Sequence, residues 1–333
     1  MKETASVSPV SAYPPGLHNA FKFAAFNALS FQIVLGSQMI LYARTLGATA
    51  TVLGLIAGMM PLLVIMQIPA ANYIDRVGYK KFVYGGWGIR VLFIFFIALV
   101  PLTAIFLNST AQLSLVLALL FAFNLSRGIS SSAWLPWITH LVPPAIRGRY
   151  VSSDAACTQL GSFVTTLVAA FCLGQKPSGW QFAVIFGFSG LMGAASLGFL
   201  KRIPDAPTTP QVRTSNMPVP YWAMLRHDPF QRLLWEAFAW SMAYGGLSTF
   251  TVAYLKTEAG WSEATILLLT STSFLGGLGS LRLGMRLDRF GSKPVLIFCF
   301  SIWIVNLAGW MLVAGRVLTP TLTLVLLLRS EEH

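Results

Sequence analysis

Residues 71–81 read Ala-Asn-Tyr-Ile-Asp-Arg-Val-Gly-Tyr-Lys-Lys, and residues 284–293 read Gly-Met-Arg-Leu-Asp-Arg-Phe-Gly-Ser-Lys. Both stretches follow the pattern small-x-x-x-Asp-Arg-x-Gly-x-Lys, and both connect two long hydrophobic segments. A motif that recurs in equivalent positions predicts that one multi-helix membrane unit has been duplicated within the chain. We therefore expect two related halves in one membrane protein.

The composition excludes a water-soluble domain. Hydrophobic residues make up 55% of the chain and charged residues only 10%, and the mean hydropathy is +0.68. Since a transmembrane helix needs about 20 mostly apolar residues, the sequence predicts ten spans. They lie near 20–42, 50–74, 82–107, 111–138, 153–174, 180–200, 230–255, 262–285, 293–314 and 317–328. The tenth is about half a crossing, so we expect an incomplete, C-terminally truncated second half.

The polar segments divide the chain into four regions. They are an N-terminal tail (1–19), a six-helix bundle (20–200), a proline-rich central loop (201–229) and a partial second bundle (230–333). Lys and Arg are concentrated in loops on one side, among which we count Arg90, and this bias predicts a cytoplasmic N-terminus. The net charge of +12 is dispersed between hydrophobic spans, so it indicates topology and lipid contact rather than nucleic-acid binding.

These motifs resemble the major facilitator superfamily. The two copies resemble the loops between helices two and three and between helices eight and nine of that family, and the segment 141–150 resembles its passage from helix four to helix five. The chain departs from the family in having Ala71 at the leading glycine and in lacking a clean Arg-x-x-x-Gly element in helix four. The resemblance implies an all-α polytopic fold: a helical bundle with six N-terminal spans and about four spans of an incomplete C-terminal half.

In the resembling family the repeated motif acts as a gate on the cytoplasmic side. An Asp at a helix end can accept bonds from the free N–H groups of another helix, which would place Asp288 at the start of helix five near 152–154 and Asp75 at a helix eleven that this chain lacks. The alternative is that the motif only sets loop geometry and topology. The gating candidates are Asp75, Arg76, Gly78, Lys80, Lys81, Gly284, Asp288, Arg289, Gly291 and Lys293.

Polar residues in mid-span usually face the interior of a bundle. Asn27 and Gln38 fall on one face of the first span at 100° per residue, which we expect to be a cavity wall. Arg127, with Asn124 one turn away, lies well inside span four, and Glu236 in span seven is followed by Trp240 and Tyr244 on its face. We expect Arg127 and Glu236 to border a central cavity. A structural ion pair between them, and helix-to-helix hydrogen bonds for the amides, are the alternatives.

These features predict a secondary active transporter that moves a small solute by alternating access, with Glu236 as a candidate for proton coupling. A transport-inactive sensor or fragment is one alternative, and a lipid-modifying membrane enzyme is another. Isolated histidines and the absence of metal-ligand spacing argue against an enzyme and against a cofactor. The expected partners are the lipid bilayer, a small solute and protons. The expected location is a plasma or bacterial inner membrane, and the oligomeric state is left open.

Overall fold

The computed structural model describes residues 14–143, 146–174, 177–207, 223, 225–276 and 292–314. All regular structure in these ranges is helical, and two short 3₁₀ segments, Val64–Met66 and Val100–Ile105, extend neighbouring helices. The helices are α1 (His18–Leu35), α2 (Ser37–Thr45), α3 (Ala50–Leu63), α4 (Gln67–Ala71), α5 (Ile74–Val77), α6 (Tyr79–Leu99), α7 (Ser109–Ser131), α8 (Trp134–Leu141), α9 (Arg147–Leu173), α10 (Gly179–Leu200), α11 (Asp228–Thr257), α12 (Glu263–Gly276) and α13 (Ser292–Ala314).

Six helical stretches are long and apolar enough to cross a membrane. They are His18–Thr45, Ala50–Ala71, Tyr79–Ile105, Ser109–Leu141, Arg147–Leu173 and Gly179–Leu200. The six predicted N-terminal spans are therefore confirmed. In the second half α11 and α13 coincide with predicted spans seven and nine, and α12 forms the first part of span eight. The remainder of span eight, the tenth span and most of the central loop lie outside the described residues.

Polar caps begin three of the spans. The Thr49 side chain accepts a hydrogen bond from the N–H of Val52, the first turn of α3, and Asn108 Oδ1 accepts one from Ala111, 2.8 Å away, in α7. Ser178 and Gln181 form a capping box at the start of α10. Each cap satisfies an N–H group that the helix itself leaves free. These caps define one end of the bundle, called here the cap end.

The motif of residues 71–81 lies at the other end, called here the motif end. Consecutive spans are joined by short connections and therefore run in opposite directions. Lys80 Nζ donates to the carbonyl oxygen of Ile203, 2.8 Å away, and Trp137 Nε1 donates to that of Pro204, 3.1 Å away. These bonds tie the ends of spans three, four and six together.

Close helix crossings in the first half occur at glycine. A Cβ added to Gly161 of α9 would come within 2.8 Å of the Ala25 carbonyl oxygen on α1, and one added to Gly193 would come within 2.8 Å of Ser30 Oγ. The glycines at 54 and 58, which their spacing suggests as helix-packing positions, have no described atom within 4 Å of an added Cβ. Still closer crossings join α7 to its neighbours, since a Cβ on Gly86 of α6 would lie 2.1 Å from Ser130 Cβ and one on Gly128 would lie 2.2 Å from the Leu63 carbonyl oxygen.

Two apolar cores occupy the two ends. Among the described residues, the motif-end core is formed by first-half side chains such as Phe23, Trp87 and Trp137. The cap-end core joins the halves, because residues of α2, α9 and α10 cluster with Val252, Leu255, Ile266, Leu267, Leu269 and Trp310. The two halves thus share a continuous hydrophobic core at the cap end.

Candidate functional site

Arg90 lies inside the helical bundle. It is 4% exposed, and at about 1.5 Å per residue it lies about 16 Å from the start of α6. Its Cζ atom stands 4.6 Å from the centre of the Trp87 ring and 5.3 Å from that of Phe123, so two aromatic faces hold the guanidinium by cation–π attraction. Its Nε atom is buried without a hydrogen-bond partner. Counting Arg90 among the cytoplasmic-side charges was therefore wrong.

Arg127 approaches the same place from α7. It follows Phe123, whose ring contacts Arg90, by one helical turn, and it is half-buried. The contact between the two helices here is close, since Ser126 Oγ donates to the carbonyl oxygen of Gly86, 3.1 Å away. Two arginines thus lie beside each other within the first six spans.

Asn27 and Asn124 add amide groups around the arginines. Asn27 Oδ1 accepts a hydrogen bond of 3.2 Å from Trp87 Nε1, which ties α1 to the ring that Arg90 covers. Asn124 is buried, and its Nδ2 donates to the Leu120 carbonyl oxygen at 2.9 Å. The Oδ1 atom of Asn124 is buried without a partner. Arg90, Arg127, Asn27 and Asn124 form the group called here the arginine site.

Gln38 lies apart from the arginine site. The first span is interrupted at Gly36, whose extended backbone (φ −96°, ψ −166°) separates α1 from α2. The 100° periodicity that places Asn27 and Gln38 on one face does not continue across this break. Gln38 is fully buried, and its Nε2 lies 3.5 Å from Thr166 Oγ1 on α9.

Glu236 and the aromatic residues that follow it lie on α11. Glu236 is exposed, and Trp240 stacks on Tyr244 with ring centres 6.3 Å apart. Trp240 also contacts Trp303 of α13, 4.9 Å between ring centres. In the described residues the ion pair is between Lys256 and Glu263, so Glu236 and Arg127 form none there.

The first copy of the repeated motif forms a turn with a charged rim. Gly78 adopts φ +87° and ψ 148° between α5 and α6, a conformation that is costly for any residue with a Cβ. Asp75, Arg76 and Lys81 are exposed, and Lys80 is partly buried. In the second copy, Gly284, Asp288, Arg289 and Gly291 lie outside the described residues, and Lys293 is exposed at the start of α13.

Asp154 is a further charged residue within a span. The predicted start of span five at 153 would make it a helix-start residue, but α9 begins at Arg147. The Arg147 Nη2 atom bonds the carbonyl oxygens of Thr139 at 3.1 Å and Val142 at 3.5 Å, and so fixes the end of α8. Asp154 consequently lies two turns into α9, and its Oδ1 is buried without a partner.

Comparisons with known proteins identify the family. The family model described as Major Facilitator Superfamily matches residues 22–330. The chain belongs to this superfamily. No curated protein sequence matches the chain closely.

Solved structures share the fold. A crystal structure of a mutant of the nucleoside transporter NupG is 15% identical, with a TM-score of 0.62 over 95% of this chain and 80% of that one. A D-xylose-proton symporter is 15% identical, with a TM-score of 0.60 over 95% of this chain and 79% of that one. The partially occluded, inward-open xylose transporter XylE from E. coli, also 15% identical, has a TM-score of 0.57 over 95% and 83%.

Family membership and the six apolar spans together define a multi-pass membrane transporter rather than an enzyme. The expected all-α fold of the superfamily type is confirmed. In the part of the chain that the structure describes, no group of three or more His, Cys, Asp or Glu side chains could hold a metal ion.

Proposed function

We propose that the protein is a secondary active transporter that carries a small solute across the membrane by alternating access. The two halves contact each other in a way that supports this. At the cap end α11 packs against α2 and α3, α12 packs along α9, and the halves share an apolar core. A backbone hydrogen bond of 3.1 Å runs from Ala264 N–H to the carbonyl oxygen of Gly174.

The other end of α11 has a different environment. Residues 231–239 are all exposed, and they include Leu233 at 58%, Trp235 at 70% and Phe238 at 57%. Among the described residues, this stretch of α11 therefore has few protein neighbours. This contrast between the two ends of α11 is the observation that carries the proposal, because it is expected of a transporter closed at the cap end and open toward the motif end.

We place the motif end in the cytoplasm, on the basis of the Lys and Arg bias, in a plasma or bacterial inner membrane. The structure would then correspond to an inward-open state. The repeated motif would act as the gate: Asp288 would contact α9 near residues 152–154 when the motif end closes.

Proton coupling would require a carboxyl group that changes its exposure between the two states. Glu236 is exposed on the open part of α11 and would become covered when the halves close there. Asp154, whose Oδ1 is buried in α9 without a hydrogen-bond partner, is the second candidate. We propose these two carboxyl groups as the coupling sites.

Uptake by proteoliposomes tests the proposal. The purified full chain is reconstituted, and uptake of labelled xylose, uridine, phosphate and succinate is measured with and without an inward proton gradient. We expect saturable uptake of at least one solute. Asp288→Asn should reduce it while the protein keeps its unfolding temperature, whereas Lys201→Gln, an exposed control at the end of α10, should not. Uptake equal to that of empty liposomes for all four would contradict the proposal and favour a sensor or a fragment.

A further inference from the structure

The arginine site has an excess of positive charge. Arg90 contacts the ring of Phe123, Arg127 follows Phe123 by one helical turn, and Arg90 is 4% exposed. In the described ranges the ion pair formed is Lys256–Glu263, so neither arginine has a carboxylate partner there. A permanently charged guanidinium in a membrane interior requires a counter-charge or water, because desolvating it alone is costly.

The surroundings of Arg90 orient its guanidinium without neutralising it. Trp87 and Phe123 contact it and attract a cation through their ring faces, but rings accept no strong hydrogen bond. Trp87 is held in turn by Asn27 Oδ1 at 3.2 Å. The side chain is therefore fixed by packing, while its Nε–H is buried without a hydrogen-bond acceptor.

An anion is the ligand that this arrangement fits. Guanidinium groups bind carboxylate and phosphate through paired N–H donors, and two adjacent guanidinium groups attract a common oxyanion. Arg127 and Asn27 are only partly buried, so part of each side chain is accessible. A sugar or another neutral solute would leave the two positive charges uncompensated.

We propose that the solute carried by this protein is a small anion, with a carboxylate or phosphate group that binds between Arg90 and Arg127. This inference rests on the proposed transport function and specifies its substrate class. Arg90 would act as the fixed, buried anchor, and Arg127 as the more accessible partner that meets the anion first. Asn27 would be a positioning residue that holds Trp87 against Arg90.

Ligand-dependent thermal unfolding of the purified full chain tests this inference. Sodium phosphate and sodium succinate are titrated in neutral detergent against sodium chloride of matched ionic strength, with xylose as the neutral solute. A ligand that binds only the folded protein raises its unfolding temperature in a saturable way. We expect this rise with phosphate or succinate, and none with xylose.

Substitutions separate binding from folding. Arg127→Gln removes one charged hydrogen-bonding partner and should raise the apparent dissociation constant for the anion about 10- to 100-fold. In the absence of anion the same variant should unfold at a higher temperature than the wild type, because one of two repelling charges is gone. Arg127→Lys should retain part of the anion effect, and Lys201→Gln should behave as wild type. A purely structural Arg127 would instead lower the unfolding temperature with or without anion.

The inference would be overturned if neither phosphate nor succinate produced a saturable rise in the unfolding temperature. It would also be overturned if Arg127→Gln left that rise unchanged. A lipid headgroup is the other source of a phosphate group. In nanodiscs, stabilisation that required phosphatidylglycerol and disappeared in phosphatidylcholine, with no effect of soluble anions, would also overturn it. This equilibrium measurement involves no transport, so a protein that binds anions without moving them would contradict the proposed function alone.

Discussion

The backbone N–H of Ala264 donates a hydrogen bond to the carbonyl oxygen of Gly174, 3.1 Å away. Gly174 ends α9 with φ +61°, and Ala264 lies in the first turn of α12. The carbonyl oxygen at the end of α9, in the first half, therefore accepts a hydrogen bond from a free N–H in the first turn of α12, in the second half. A single bond of this kind contributes about 1 kcal/mol, which is small enough to be broken when the cap end opens.

The ion pair between Lys256 and Glu263 stabilises the turn between α11 and α12. The side chain of Glu263 is 4% exposed and that of Lys256 is 31% exposed, so the pair is intermediate between a surface and a buried one. We expect Lys256→Met to lower the free energy of unfolding by about 1–3 kcal/mol, because it leaves a buried carboxylate without a partner.

The double variant Lys256→Met with Glu263→Gln supplies the control. Removing both charges should recover most of the lost stability, measured by chemical or thermal unfolding in detergent. A single variant as stable as the wild type would show that the pair contributes nothing.

Gly161 permits the close crossing of α1 and α9. An added Cβ would lie 2.8 Å from the Ala25 carbonyl oxygen and 2.9 Å from the Ala28 Cβ, and backbone atoms cannot yield as a flexible side chain can. We expect Gly161→Ala to lower the unfolding free energy by about 1–3 kcal/mol. Gly187→Ala in α10 is the matched control, since no atom lies within 4 Å of its added Cβ. Equal stabilities of the two variants would contradict this account of the crossing.

Lys80 fastens the motif to the end of span six. Its ammonium group donates to the Ile203 carbonyl oxygen at 2.8 Å, whereas the neighbouring Lys81 is exposed. Lys80→Met should therefore lower the unfolding free energy by about 1 kcal/mol, and Lys81→Met should leave it within about 0.5 kcal/mol of the wild type. The two substitutions remove the same charge, so an equal effect would point to a general influence of charge.

Gly78 sets the path of the chain into α6. Its φ of +87° and ψ of 148° lie in a region that residues with a Cβ avoid, so Gly78→Val should cost about 1–3 kcal/mol. The strain should also displace Lys80 from Ile203. Faster proteolytic cleavage near residues 72–80 would report this local loosening, and cleavage as slow as in the wild type would contradict it.

Features that depend on residues close together in the sequence could be predicted, and features that depend on distant contacts could not. The six N-terminal spans depend on the summed hydropathy of about 20 residues, and the structure confirms them. Gly78 was recognisable because the tight reversal between two spans favours glycine, which has no Cβ. The break at Gly36 was not, because one glycine within an apolar stretch is usually tolerated.

Arg90 illustrates what sequence alone could not establish. Its cationic side chain matched the bias of basic residues toward one membrane side, and the aromatic contact with Phe123 of α7 depends on how two helices pack. The available sequence signal was its position, eight residues inside the predicted span 82–107. Likewise the depth of Asp154 depended on where α9 begins, which Arg147 decides through its bonds to Thr139 and Val142.

The measurement that tests the central claim most directly is the distance between the two halves at the cap end. Spin labels are attached to Ser178→Cys and Glu258→Cys, both exposed, after replacement of Cys157, Cys172 and Cys299. Double electron–electron resonance in nanodiscs then reports the distribution of distances. Alternating access predicts two distance populations, whose ratio changes when phosphate or succinate is added. One narrow distance under all conditions would contradict it.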